Sequence, residues 1–194
     1  MQEMITVSIL SDQEIKKYIK TNNLKIQPFK KENIQPASID LRLGDELLRF
    51  KPGIIVDTKK KDLNMEKIKL SEKGYTIYPG NFFLGSTLEY IELPNDIVGR
   101  VEGRSSFGRL GLTIHVTAGY VDPGFSGRIT LEISNIGDVP IVIYPNQRIC
   151  QLVLDKMDSP CEIGYGDKMD SKYQGQISPT PSKIFNDFEN EVVS

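Results

Sequence analysis

The sequence predicts a mainly β protein, either a barrel or a sandwich, with one short helix near its start. Short β-type segments separated by Pro-Gly, Pro-Asn and Asp-Pro-Gly signals fill residues 75–154. One helical pattern precedes them, and a segment rich in Gly, Ser, Pro, Lys and Gln follows them. At 194 residues the chain is long enough for one domain with one core, which would bury about 70% of the surface exposed by the unfolded chain.

The helix is predicted to begin after Ser11. Residues 11–14 (SDQE) have the pattern of a capping box, in which the Ser and Glu side chains bond to backbone amides at the start of the helix. Ile15, Tyr18 and Ile19 then recur at helical spacing. These residues predict a short amphipathic helix that packs one face on the domain.

Strands are predicted wherever polar and apolar residues alternate. Residues 38–43 (SIDLRL) alternate with period two and are followed by a Gly-Asp turn, which predicts a half-buried strand. Further strands are predicted at residues 75–78, 97–101, 128–133 and 139–144. The lysine run at 59–61 is predicted to lie in a solvated loop without a function.

Composition excludes several classes of protein. With 24 Lys and Arg against 26 Asp and Glu, the net charge is −2, which predicts no nucleic-acid partner. Two cysteines cannot make a dense disulfide framework, and the first residues lack the pattern of a secretory signal. The longest apolar runs have the length of a strand, well below the ~20 residues of a membrane helix. We therefore expect a cytoplasmic protein that makes no membrane contact.

The densest polar segment is residues 102–112 (EGRSSFGRLGL). It combines two arginines, two serines and three glycines, which suit a phosphate group because glycines let backbone amides approach an anion and arginine forks match phosphate oxygens. It departs from a P-loop, because Arg109 and Leu110 stand where Lys and Ser or Thr are required. The alternative is a glycine-rich connection with exposed arginines.

A second polar segment spans residues 115–135. Alternation along residues 128–133 places Glu132 on the side opposite the apolar residues. Such a carboxylate could transfer protons, or it could be an ordinary solvent-facing strand residue. His115, the single histidine of the chain, is predicted to be structural, and Ser105, His115 and Asp122 lack the nucleophile-elbow pattern that would support a catalytic triad.

A zinc-dependent nucleobase deaminase is not predicted. Such enzymes need a His-x-Glu segment and a Pro-Cys-x-x-Cys segment. Cys161 follows a proline but has no second cysteine at the required spacing, and His115 is not followed by Glu two residues later. The segment beyond Cys161 looks either like a mobile tail or like a frayed terminus.

Several separated blocks together resemble a known family. Residues 35–44 (QPASIDLRLG), 104–112 (RSSFGRLGL), 115–125 (HVTAGYVDPGF), 130–132 (TLE) and 171–176 (SKYQGQ) are similar to the deoxycytidine triphosphate (dCTP) deaminases of the trimeric dUTPase superfamily. The resemblance runs from about Ile9 to about Phe188. The blocks occur in the same order and at compatible spacing, which makes the resemblance specific.

The resemblance implies a distorted β-barrel of the dUTPase-like, jelly-roll type, with a short N-terminal helix. Residues 1–163 would form the deaminase domain, and residues 164–194 would form a flexible lid that closes over the nucleotide. The family forms homotrimers with active sites at subunit interfaces. Mg²⁺ would be held through the triphosphate of the nucleotide, and neither zinc nor a protein metal site is implied.

The resemblance also implies the residues of the active site. Glu132 would be the proton shuttle that activates water, with Ser105 and Arg109 holding that water and the base; all three are predicted to be catalytic. Arg104 and Ser106 would bind phosphates, and Asp122 the deoxyribose. Further predicted substrate contacts are Phe107, Gly108, Thr130, Leu131, Gln151, Tyr165, Lys172 and Gln176.

The product is a separate question. Residues 117–120 (TAGY) and 149–152 (ICQL) resemble the bifunctional relatives, which deaminate dCTP and cleave the triphosphate to give dUMP, diphosphate and ammonia for dTMP synthesis. Deaminases that release dUTP have a larger residue in place of Gly119. The alternatives are such a deaminase, an enzyme that only cleaves dUTP, and a non-catalytic trimer that senses nucleotides. The predicted ligands are dCTP and dUTP, with dTTP as a feedback inhibitor.

Overall fold

A computed structural model describes residues 8–21 and 23–189. The predicted domain at residues 1–163 includes residues 1–7 and 22, and the predicted lid at 164–194 includes residues 190–194. These residues lie outside the described part of the chain. The described residues fold mainly as antiparallel strands, which confirms the predicted β class. The elements in chain order are β1 (Ser8–Ile9), α1 (Asp12–Lys20), β2 (Lys25–Gln27), a 3-10 turn (Lys31–Asn33), β3 (Ile34–Gln35), β4 (Ser38–Arg42), β5 (Glu46–Phe50), β6 (Met65–Lys69), β7 (Tyr75–Ile77), β8 (Phe82–Glu92), β9 (Ile97–Gly103), α2 (Ser105–Gly108), β10 (Leu112–Thr113), β11 (Tyr120–Val121), β12 (Ser126–Asn135), β13 (Ile141–Ile143), β14 (Arg148–Lys156) and α3 (Asn186–Glu189).

Hydrogen bonding divides the described strands into three sheets. The first sheet has the order β11-β9-β14-β4-β3, with β1 also paired to β14. The second has the order β10-β12-β8-β5-β6, with β2 also paired to β8. Strands β7 and β13 form a small third sheet. The described strands thus form a distorted arrangement of two main sheets, and their hydrogen bonds do not close into a single barrel.

The two main sheets meet where β4 ends and β8 bulges. Leu43, just after β4, forms a β-bridge with Thr87 of β8. Opposite β12 the register shifts, so that residues 87–89 of β8 face Ile129 alone. The Thr87 hydroxyl accepts a hydrogen bond from the Ile129 amide at 2.9 Å. A bulge bends a strand and turns its side chains in a new direction, and here it turns Glu89 toward β4.

Glu89 and Arg42 form a buried ion pair at this junction. Arg42 Nε donates to Glu89 Oε1 at 2.7 Å, and the Arg42 backbone amide donates to Glu89 Oε2 at 2.8 Å. The Glu89 side chain is 1% exposed and the Arg42 side chain 9%. Because neither charge reaches water freely, each depends on the other for compensation. The pair therefore fixes β4 against β8.

The core lies between the sheets. Fully buried side chains include Leu41, Leu47, Phe83, Ile91 and Leu131. A buried amide joins the small third sheet to the end of β12, because Asn135 Nδ2 donates to the carbonyls of Ile77 and Val139 at 2.9 Å each.

Helix α1 confirms the predicted start, the Ser11 half of the capping box and the amphipathic pattern. The Ser11 hydroxyl accepts a hydrogen bond from the Glu14 amide at 3.5 Å, and Ile15 is completely buried. Tyr18 packs against the core while its hydroxyl donates to Asp96 at 2.9 Å. Burial and this bond raise the pKa of Tyr18 to about 12.

The strands predicted at residues 75–78, 97–101, 128–133 and 139–144 are confirmed with small shifts of their ends. Strand β4 departs from expectation, because all five of its residues are buried rather than one face alone. Charged side chains from β8, from β14 and from Arg104, just after β9, cover its polar face. The lysine run at 59–61 is exposed, as predicted, yet Lys59 and Lys61 lie over the rings of Phe188 and Phe185.

No helix within residues 8–21 and 23–189 is long and apolar enough to cross a membrane. Both cysteines are free thiols: Cys150 is buried in the core, whereas Cys161 is half-buried near the surface.

We predict that Glu89→Ala lowers the free energy of unfolding by roughly 3–5 kcal/mol, because it leaves the Arg42 charge buried without a partner. Glu92→Ala, on the same strand, is the control. Glu92 pairs with Lys25 at 2.7 Å while both side chains are more than a third exposed, so its loss costs about 0–1 kcal/mol. Chemical denaturation measures both values, and equal losses would contradict the role assigned to the buried pair.

We predict that one thiol per folded chain reacts with a disulfide reagent at pH 8. Burial raises the pKa of the Cys150 thiol, which also lies out of reach of solvent, and the thiolate is the reactive form. Unfolding in denaturant should release the second thiol. In Cys161→Ser the folded protein should not react, and rapid reaction of that variant would show that Cys150 is accessible.

Candidate active site

Glu132 occupies the face of β12 that points away from the core, because half-buried and buried residues alternate along this strand. This confirms the orientation predicted from alternation. Glu132 Oε2 accepts hydrogen bonds from the backbone amides of Val116 and Thr117 at 2.8 and 3.0 Å. Oε1 accepts no hydrogen bond from any residue that the structure describes. One oxygen is thus fixed by the backbone, and the other remains available to a water molecule.

The tail lies along the edge of β12 that does not pair with β8. Gln176 and Arg128 exchange two bonds: Gln176 Nε2 donates to the Arg128 carbonyl at 2.7 Å, and the Arg128 amide donates to the Gln176 carbonyl at 2.8 Å. The Thr130 hydroxyl is 3.4 Å from Gln176 Oε1 and accepts from the Thr180 amide at 3.3 Å. Gln176 and Thr130 are both predicted substrate contacts. The structure brings Gln176 of the tail to Thr130, which lies on the strand that carries Glu132.

Tyr165 and Lys172 belong to the same tail. The Tyr165 ring lies 6.0 Å from the ring of Phe125, and its hydroxyl accepts a hydrogen bond from the Tyr173 amide at 3.1 Å. Lys172 forms an ion pair with Asp187 of α3. A phosphate that binds Lys172 has to compete with this carboxylate.

Asp122 lies in the turn after β11 and is exposed. It borders a cavity of about 320 Å³ together with Tyr120, Tyr165 and Lys168. The predicted deoxyribose contact and the predicted lid residue Tyr165 therefore share one cavity.

The polar segment after β9 forms the short helix α2. Ser105, Ser106 and Arg109 are exposed there, which suits hydrogen-bond donors to a ligand. Gly108 is also exposed, and a Cβ at this position would touch nothing within 4 Å. Packing inside the chain therefore does not require glycine at position 108. Phe107 is different, because its ring packs against the hydrophobic core and anchors the turn.

Leu131 was also predicted as a substrate contact, but its side chain is completely buried in the core. It occupies the inward position between Thr130 and Glu132 in the alternation of β12. Only its backbone can take part in binding.

Arg104 and Gln151 lie on the polar face of the first sheet. Arg104 Nε is 3.5 Å from Asp40 Oδ1, and Arg104 Nη1 donates to the Arg148 carbonyl at 3.1 Å. Gln151 Oε1 accepts from the Ser38 hydroxyl at 3.2 Å, and Gln151 is the register partner of Asp40. These two predicted contacts are thus neighbours through β4.

Asp40 and Arg148 were not predicted as site residues. Asp40 is 2% exposed, and its Oδ2 accepts from Arg148 Nη1 at 3.2 Å. A signal was present in the sequence, because Asp40 lies in the block at residues 35–44 that contributes to the family resemblance, although no role followed from it. Arg148 lies just outside the block at residues 149–152 and gave no signal of its own.

Eight of the predicted residues form two groups, apart from Asp122 and Tyr165 at the cavity and Lys172 in the tail. The arginine-serine group, on the first sheet and α2, contains Arg104, Ser105, Ser106, Arg109 and Gln151. The Glu132 group, on β12 and the tail, contains Thr130, Glu132 and Gln176. No hydrogen bond or ion pair between described residues joins the two groups within one chain.

A family model described as dCTP deaminase-like matches residues 9–157. The chain belongs to the dCTP deaminase-like family. The matched residues include the whole arginine-serine group and every member of the Glu132 group except Gln176 in the tail. The features described above are therefore features of a family member.

Similar proteins extend the match into the tail. The "dCTP deaminase, dUMP-forming" of Methanosphaera stadtmanae is 52% identical over 191 residues, which cover 94% of this chain and 97% of that protein. The protein of the same name from Dictyoglomus turgidum is 51% identical over 188 residues, covering 93% and 96%. The solved 2′-deoxycytidine 5′-triphosphate deaminase of Agrobacterium tumefaciens has a TM-score of 0.63 at 28% identity, over 78% of this chain and 48% of that chain.

Among residues 8–21 and 23–189, no three His, Cys, Asp or Glu side chains cluster in a way that could hold a metal ion. The charged side chains best suited to bind phosphate are two cations on the polar face of the first sheet, Arg104 and Arg148.

Proposed function

We propose that this family member converts dCTP to dUMP in two hydrolytic steps. In the first, dCTP and water give dUTP and ammonia; in the second, dUTP and water give dUMP and diphosphate. The observation that carries the proposal is the Glu132 carboxylate, which two backbone amides hold on the polar face of β12 with Oε1 available. Relatives about half identical to the chain and named for this reaction support it.

Glu132 is the proton carrier of the deamination. Its carboxylate accepts a proton from the attacking water as oxygen bonds to the ring carbon that holds the amino group. It delivers this proton to the ring nitrogen. It then takes the second proton from the hydroxyl group on that carbon, as the C=O bond forms, and gives it to the amino group, which leaves as ammonia when the C–N bond breaks. The amides of Val116 and Thr117 fix Oε2 during these transfers, so that the same carboxylate can act as base and then as acid.

Ser105 and Arg109 hold the water and the cytosine ring in this proposal. Ser105 begins α2 and Arg109 caps its end; both are exposed, and neither has a hydrogen bond or ion pair to Glu132 among the described residues of one chain. We therefore infer that the arginine-serine group of one subunit faces the Glu132 group of another. A homotrimer with active sites between its subunits meets this requirement.

The triphosphate is bound by Arg104 and Ser106, and by Lys172 from the lid. Gln151 contacts the nucleotide beside Arg104, Asp122 binds the deoxyribose, and Tyr165 and Gln176 close over the ligand. Mg²⁺ fits this arrangement, because it is commonly held through substrate phosphates and waters rather than by a protein cage. When bound, it neutralises part of the phosphate charge.

Gly119 supports cleavage to dUMP. A Cβ at Gly119 would lie 3.0 Å from the carbonyl oxygen of Val101 and 3.2 Å from the ring of His115. A larger residue would push the segment that leads to Asp122, whereas glycine leaves it in place. Inhibition by dTTP, which shares the sugar and the triphosphate, and a cytoplasmic location stay predictions.

We predict that Glu132→Gln lowers the deamination rate by at least 100- to 10,000-fold, the usual contribution of general acid/base catalysis. The amide keeps the shape of the side chain but cannot accept the proton. Ammonia release from dCTP measures the rate, and calorimetry should show that nucleotide binding persists. Glu66→Gln, on β6, where Glu66 is half-buried and pairs with Arg49, is the matched control and should retain full activity. Residual activity above about a tenth of wild type would contradict the assigned role.

We predict that incubation with dCTP yields dUMP and diphosphate in equal amounts, with little dUTP at any time. After deamination the nucleotide still lies with its triphosphate on the same cations, so a second water needs only a path in line with the α-phosphorus. Chromatography of the nucleotides over time measures the products. If dUTP accumulated in step with dCTP loss and no diphosphate formed, the chain would be a deaminase without the second activity.

A further inference from the structure

A buried carboxylate holds two arginines on the polar face of the first sheet. Asp40 is 2% exposed, and its two oxygens face different guanidinium groups, with Arg104 Nε at 3.5 Å from Oδ1 and Arg148 Nη1 at 3.2 Å from Oδ2. Gln35 is a third partner of the carboxylate, because its Nε2 donates to Oδ2 at 3.3 Å. A carboxylate buried this deeply needs such partners, and in return it restricts where both guanidinium groups can lie.

One carboxylate serves two arginines: among the described residues, Asp40 is the only ion-pair partner of Arg104 and of Arg148. Two guanidinium groups held beside one carboxylate favour the approach of a further anion. Both arginines retain solvent access, since the Arg104 side chain is 28% exposed and that of Arg148 is 44% exposed.

Each guanidinium keeps donors that the protein does not use. Arg104 uses Nε and Nη1 on Asp40 and the Arg148 carbonyl, and Arg148 uses Nη1 on Asp40. The remaining N–H groups form planar forks, which match the oxygens of a phosphate group. Arg104 also leads directly into α2 with its exposed serine hydroxyls, so phosphate donors from both sources lie along one stretch of surface.

We propose that Arg148 is a second phosphate-binding arginine and that Asp40 is a positioning residue, which sets Arg104 and Arg148 side by side to receive the triphosphate. This inference rests on the proposed function, because the ligand is the nucleoside triphosphate of that reaction. It assigns a role to the block at residues 35–44: Gln35 and Asp40 order the cations, and Ser38 holds the neighbouring Gln151.

The test compares the affinity for a triphosphate with the affinity for the matching monophosphate. The probes are 2′-deoxyuridine 5′-α,β-imidotriphosphate, which cannot be cleaved at the imido bridge, and dUMP, both titrated in the presence of Mg²⁺ by calorimetry. Arg148→Gln should weaken binding of the imidotriphosphate roughly 10- to 100-fold, the value of a charge-assisted hydrogen bond. Binding of dUMP should change little.

Asp40→Asn should reduce the preference for the imidotriphosphate at least as much, although it touches no phosphate. The double variant Asp40→Asn, Arg148→Gln should lose less than the sum of the two single losses, because Asp40 acts partly through Arg148. Arg100→Gln is the control. Arg100 lies on β9, the strand that leads to Arg104, and pairs with Asp155 at 2.7 Å, and its loss should leave the ratio of the two affinities unchanged.

Thermal unfolding of each variant separates a positioning role from a structural one. If Asp40→Asn lowered the melting temperature but kept the ratio of affinities, the positioning role would be overturned. If Arg148→Gln kept the ratio while wild type prefers the imidotriphosphate, Arg148 would not bind phosphate and the proposed function would stand. A wild-type protein without any preference for the imidotriphosphate would overturn the proposed function and this inference together.

Discussion

The buried pair of Arg42 and Glu89 is the constraint on which the rest of the fold depends. Charges with so little exposure are stable only as partners, so β4 and β8 have one permitted alignment. That alignment requires the bulge at residues 87–89, where the Thr87 hydroxyl replaces a strand carbonyl as the acceptor for the Ile129 amide. The register of β12 follows from this bond. A shift of β12 by one residue would turn Glu132 into the core, so the position of the candidate acid/base is set by an ion pair that does not touch it.

The chemistry of the molecule is divided between its two main sheets. On the polar face of the first sheet, Asp40 orders Arg104 and Arg148, two cations that suit an anion. The second sheet carries Glu132 with its two amide donors, which suit proton transfer. Because no hydrogen bond or ion pair between described residues joins the two within a chain, we propose that each is half of a site. The proposed assembly of subunits follows from this division as much as from the family.

Sequence patterns correctly predicted those elements whose structure depends on residues nearby in the sequence. The capping box placed α1, and the alternation of residues 128–133 gave the direction of Glu132. The same reasoning misjudged β4, because the arginines that cover its polar face come from positions 104 and 148, far along the chain. It also could not separate Phe107 and Leu131, which pack in the core, from their polar neighbours. Family resemblance assigns a segment to a site, whereas packing decides which side chains of that segment reach it.

When the proposed lid binds a nucleotide, the new contacts replace contacts that the tail already makes within the protein. Gln176 bonds to Arg128, and Lys172 pairs with Asp187, so these polar groups already have partners in the protein. Stacking of Lys59 on Phe188 holds the end of the tail near the loop at residues 57–61. A triphosphate gains from Lys172 only the excess of a phosphate contact over the Asp187 contact that it replaces. A phosphate carries more negative charge than a single carboxylate and offers more acceptor oxygens, and the exchange therefore favours nucleotides with several phosphates over dUMP. Such a lid would retain dUTP until cleavage and then release the product.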